Sequence, residues 1–130
     1  MPLIQAAVLA EINKPLEVRT FSAEPLKKGQ VLIKILYSGI CRSQLMEIRG
    51  MRGYDKWLPH LLGHEASGIV VEVGEGVKKV KEGDEVILSW IKSDGLEAEK
   101  IKFETDDGII NAGPISTFSN YSIISENRLV

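Results

Sequence analysis

Cysteine is nearly absent from this chain. Cys41 is the only one in 130 residues, so no internal disulfide can form. A reducing, intracellular (cytoplasmic) home is the expectation that follows. No stretch approaches 18 consecutive apolar residues, which excludes a bilayer-spanning helix. The first ten residues lack a basic flank and Glu11 follows at once, so no secretory leader is expected. An excess of positive charge is also missing: 16 Lys and Arg against 18 Asp and Glu give a net charge of −2. That excludes a strongly basic nucleic-acid binder and gives no reason for a membrane partner. Internal repeats and low-complexity tracts are absent. So is the Gly-rich turn that opens a dinucleotide-binding helix, because Gly74 and Gly76 close a strand and no third glycine follows at the needed offset.

What is present suits one globular domain. Apolar types make up 44% and charged types 26% of the residues. At this length a domain buries roughly two-thirds of the surface its unfolded chain exposes, enough for a core without disulfides.

The patterning is mostly period two, with short β-branched runs broken by Gly, Pro and Asp. Strands are predicted over residues 4–8, 16–21, 31–37, 66–73, 85–90 and 117–125. Ser43 is predicted to cap a short helix over 44–49 that Gly50 ends. Residues 51–59 read as a polar and aromatic loop, and 92–107 as a charged, weakly patterned excursion. Many short strands and little helix predict a mainly β fold. A closed or nearly closed β-barrel is favoured because closure removes exposed edges, with a β-sandwich as the alternative.

Few side chains can do chemistry. Cys41 follows a strong strand, where sites are often built; it also suits a small buried apolar position. His64 sits between Gly63 and Glu65 just before a strand, either as a functional imidazole or as a packed histidine satisfied by a carbonyl. Alternation points His64 and Glu65 in opposite directions, so one of them faces inward. An inward carboxylate is costly without a cation or strong donor. His60 lies four residues before His64, a ligand spacing that needs a helix, and Pro59 and Gly63 argue against one. A thiolate with an imidazole favours zinc. A catalytic zinc takes three protein ligands, so a third is Glu65 or lies outside these residues.

Three stretches then carry a resemblance: Gly-Ile-Cys-Arg-Ser around Cys41, Leu-Pro-His-Leu-Leu-Gly-His-Glu-Ala-Ser-Gly-Ile-Val-Val-Glu-Val-Gly-Glu-Gly-Val around His64, and Val-Lys-Glu-Gly-Asp-Glu-Val ending at Val86. Together they are similar to the zinc-dependent medium-chain alcohol dehydrogenase family, in its N-terminal GroES-like catalytic domain. The resemblance runs in order from about Leu3 to the last residue.

The resemblance implies a GroES-like β-barrel over 1–130, incomplete without a Rossmann cofactor domain. It implies an NAD- or NADP-dependent oxidoreductase that turns an alcohol or polyol into a carbonyl compound. Cys41 and His64 resemble the first two ligands of one catalytic zinc. Glu65 resembles the acid behind the metal, Arg42 the residue that meets the cofactor pyrophosphate, and Ser43 the hydroxyl that takes the alcohol proton. The third ligand, a cysteine, and the cofactor domain are expected beyond Val130, so the 130-residue piece alone is expected to be inactive. Homo-oligomerisation and a small alcohol, aldehyde or ketone as partner follow from the same resemblance.

Three departures stand out. Gln44 occupies the position of the family's aspartate, and an amide cannot supply that negative charge. Met46 stands where some members have a relay histidine. Residues 89–115 contain no cysteine, so no structural zinc is expected. Tyr54 and Trp57 either line a substrate pocket or pack a surface loop. A non-catalytic GroES-like interaction module is the rival reading. The Cys41 and His64 pair weighs against it, because function lives in the site and not in the fold.

Overall fold

Val31, Leu32 and Ile33 are consecutive and all inaccessible to solvent. A strand shows this only when both of its faces are covered. In the computed structural model, which describes residues 1–130, that strand is β3 (Gln30–Ser38), and it organises the molecule.

Two curled sheets surround it. One contains β2 (Glu17–Phe21), β1 (Ile4–Leu9), β4 (His60–Leu61), β8 (Gly108–Gly113) and β7 (Ile101–Thr105), in that order. The other contains β6 (Glu85–Ser89), β5 (Glu65–Val73), β3 and β9 (Tyr121–Ser125). Pairing is antiparallel throughout except between β4 and β8, where His60 meets Asn111 in parallel. One core joins the two sheets, with Ile4, Val8, Phe21, Leu32, Phe103, Ile110 and Ile123 in it. A second core holds Val31, Ile33, Val70, Leu88, Ile124 and Leu129. Adjacent residues of β3 and β9 thus serve different cores, as the period of two requires.

Close approach between β5 and β3 fixes Gly68. A Cβ there would lie 2.4 Å from Ile33 Cγ2 and 2.5 Å from the Lys34 carbonyl oxygen. Gly63, just before β5, has φ +99°, and its missing Cβ would fall 2.0 Å from Thr117 Oγ1. Both a left-handed backbone and a lack of room demand glycine there.

The mainly β expectation holds, with corrections in detail. The 92–107 excursion is in part a hairpin: β7 and β8 pair from Ile101 with Gly113 to Thr105 with Gly108. Ile101 and Phe103 are buried while Lys102 and Glu104 between them are exposed, so this is an ordinary alternating strand with charged outer positions. The strand predicted over 117–125 is confined to Tyr121–Ser125. The single α-helix, α1, runs from Arg42 to Ile48 with Cys41 as its N-cap, so Ser43 lies inside it and does not cap it.

Candidate functional site

The register of β3 against β5 builds the site. Ser38 pairs with Ala66, and just past that pair the Gly39 N–H donates to the Glu65 carbonyl at 2.9 Å. The Ser38 and Thr117 hydroxyls are hydrogen-bonded at 2.8 Å. Cys41, three residues past Ser38, and His64, two residues before Ala66, therefore emerge from neighbouring strand ends.

Gln44 joins them. It is buried, and its amide makes three polar contacts. Its Oε1 accepts from the Cys41 backbone N–H at 2.7 Å, the reciprocal arm of a capping box. Its Nε2 donates to Ser43 Oγ at 3.2 Å and faces His64 Nδ1 at 2.9 Å. One side chain thereby ties the start of α1 to the entrance of β5.

Cys41 is half-buried, and its thiol is held below the ordinary thiol range. The Ser43 hydroxyl does most of this by bonding the sulfur, and the Ser43 backbone N–H adds to it. Burial and the nearby Glu65 carboxylate push the other way. A thiol so biased toward thiolate suits metal ligation or nucleophilic work.

Of the neighbours His64 and Glu65, His64 is the one that faces inward. Its ring is half-buried and borders a cavity of about 740 Å³, whereas Glu65 is exposed and forms no ion pair. Glu65 is therefore not an inward carboxylate. Arg42 is exposed at the start of α1, without a carboxylate partner. Gln44 and His64 border the cavity, as do Tyr54 and Trp57 at its open rim, where Tyr54 is 94% and Trp57 50% exposed. Cys41, Arg42, Ser43 and Glu65 are outside its lining. No three His, Cys, Asp or Glu side chains are arranged to hold a metal ion.

His60 is not with them. It is buried in β4, with Nδ1 2.8 Å from the Leu61 carbonyl oxygen and Nε2 2.6 Å from Asp55 Oδ2. Glu47 Oε2 lies 3.9 Å from the same Nε2, and Arg52 stands 3.8 Å behind Glu47. No local pattern announces this cluster, because its members come from α1, a loop and β4.

Comparison with known proteins places the chain. Residues 27–130 match the family described as the alcohol dehydrogenase GroES-like domain. An S-(hydroxymethyl)glutathione dehydrogenase of Escherichia coli is 46% identical over 83 residues, which make up 64% of this chain and 22% of that protein. The match thus spans under a quarter of that relative's length. Benzyl alcohol dehydrogenase of Acinetobacter calcoaceticus superposes on all of this chain, using 41% of its own, with a TM-score of 0.79 at 23% identity. CAD from Helicobacter pylori, solved in complex with NADP(H), covers 98% of this chain and 41% of its own, with a TM-score of 0.73 at 27% identity.

Proposed function

Because the chain belongs to the alcohol dehydrogenase GroES-like domain family, we propose that residues 1–130 supply the catalytic-domain part of a zinc-dependent oxidoreductase. Its substrates are small alcohols and the matching aldehydes or ketones, and its hydride partner is NAD or NADP. The observation that carries this reading is Gln44, which bonds both the Cys41 backbone and the His64 ring.

The donors suit zinc in kind. Cys41 offers a sulfur biased toward thiolate and His64 an imidazole, the soft and borderline ligands that zinc prefers. Zinc, when bound, supplies Lewis acidity toward an alcohol or carbonyl oxygen and lowers the alcohol's pKa. A nicotinamide supplies the hydride acceptor or donor. A third ligand and the cofactor domain belong, in this proposal, to polypeptide outside these residues, and the isolated piece is inactive. No structural zinc is proposed.

The chain's own residues have defined tasks. Ser43 Oγ accepts one hydrogen from Gln44 and keeps a second lone pair, which can accept a hydrogen bond from a substrate hydroxyl. Its own hydrogen meanwhile steadies the Cys41 sulfur. Arg42 presents a free guanidinium whose planar donors match a pyrophosphate. Glu65 stands exposed beside Cys41, where its charge opposes thiolate formation and compensates a cation arriving there. No helix is long and apolar enough to cross a membrane. A cytoplasmic, homo-oligomeric enzyme is part of the same proposal.

The test is a metal and activity assay on the protein as encoded, with any further domains. Benzyl alcohol and 2,3-butanediol with NAD⁺ and NADP⁺ make a first panel. Bound zinc and oxidation of at least one alcohol are expected, both lost in Cys41→Ser and in His64→Ala. Undiminished oxidation in both variants would overturn the zinc reading.

A further inference from the structure

Gln44 has a consequence for His64 that goes beyond holding it in place. A backbone N–H can only donate, so the amide atom 2.7 Å from Cys41 N is the oxygen. The other arm is then the NH₂ group, with one hydrogen toward Ser43 Oγ and one toward His64 Nδ1 at 2.9 Å. A donor at that distance requires a lone pair on Nδ1. A neutral ring with its lone pair on Nδ1 carries its hydrogen on Nε2.

We infer that Gln44 holds His64 as the Nε2–H tautomer and thereby resists zinc binding at this ring. Nδ1 is taken by Gln44, so Nε2 is the nitrogen left for a metal, and it can bind one only after its hydrogen leaves. If the hydrogen moves to Nδ1, it meets the Gln44 NH₂ and a hydrogen bond is lost. If the amide turns over to receive it, the NH₂ faces the Cys41 N–H and that bond is lost instead. Gln44 is 3% exposed, so water is a poor replacement for either bond. A carboxylate in its place has no such conflict: it accepts from Cys41 N–H and from an Nδ1–H together, and leaves the Nε2 lone pair free.

This inference rests on the zinc reading for its importance but not for its test. The protein as encoded is stripped of metal with a chelator, and its histidine ring nitrogens are assigned by NMR. Wild type is expected to show His64 with hydrogen on Nε2, and Gln44→Glu to show it on Nδ1. Competition against a chromophoric chelator, with zinc as the probe, is expected to find Gln44→Glu tighter than wild type by about 10- to 100-fold. A wild-type ring with hydrogen on Nδ1 would overturn the inference, even if the variant failed to fold. Equal zinc affinity in a folded variant would overturn the effect on the metal. No zinc binding by either protein, with the tautomers as stated, would overturn the proposed function and sustain the tautomer assignment.

Discussion

His60 Nε2 lies 2.6 Å from Asp55 Oδ2, while the same ring's Nδ1 lies 2.8 Å from the Leu61 carbonyl oxygen. Both ring nitrogens are thereby engaged, one by the main chain and one by a carboxylate. Asp55 also accepts from the Trp57 N–H through Oδ1 at 2.9 Å. One carboxylate therefore fixes the loop that carries Tyr54 and Trp57 to the rim of the cavity.

Replacing His60 by Ala leaves Asp55 without its partner. Removing one partner of a part-buried hydrogen bond costs about 1–3 kcal/mol. Urea unfolding checks the loss. Trp57 emission, read in a Trp90→Phe background, is expected to shift with it. An unchanged midpoint and unchanged emission would show that the pair does not hold the loop.

Glu126 predicts an acid-labile region. It is buried at the end of β9, where Oε1 accepts from the backbone N–H groups of Lys78 and Lys79 and Oε2 from that of Leu96. Burial, the largest single influence, disfavours its ionised form, but these three donors and the Lys79 charge together outweigh it. The carboxyl is held below the ordinary glutamate range. A depressed folded-state pKa contributes stability that is present above the unfolded value and is lost as pH falls through the folded one. Glu126→Gln is therefore expected to cost about 2 kcal/mol at neutral pH, the scale of a hydrogen bond to a charged group, with the gap to wild type closing in acid. Urea midpoints across a pH series measure it, and a gap that stays constant would contradict the assignment.

Gly63→Ala places a Cβ 2.0 Å from Thr117 Oγ1 and 3.0 Å from Phe118 Cδ1, at a positive φ. Backbone strain of this kind costs about 1–3 kcal/mol, and the clash adds to it. Because His64 follows directly, the same variant is expected to weaken zinc binding. Retention of wild-type stability and metal content together would show that the turn tolerates a side chain.

Leu32 fills the core between the sheets with no solvent exposure. Leu32→Ala is expected to lower stability by about 2–5 kcal/mol through lost burial and an unfilled cavity. A loss under that range in chemical denaturation would place Leu32 outside the main core.

Much of the architecture was legible in sequence for a physical reason. β1, β3 and β5 are runs of β-branched and aliphatic residues whose pattern survives any reading window. β7 was missed because its outward positions are Lys102 and Glu104, so its buried partners were masked by charge. β4 is two residues long, too short for any period to show. Ser43 looked like a helix cap because its hydroxyl favours that role, but here the hydroxyl serves the Cys41 sulfur and Gln44 closes the capping box. Cys41 and His64 were visible through their flanking motifs. The bond between Gln44 and the His64 ring was not, since it depends on the register of Ser38 with Ala66. Glu126 was equally hidden, because its donors lie in distant loops.

Anomalous scattering at the zinc edge, from crystals of the protein as encoded, tests the main claim most directly. One peak per chain is expected within bonding distance of both Cys41 Sγ and His64 Nε2, and none within residues 89–115. A fully occupied zinc bound elsewhere, with those two side chains unligated, would contradict it.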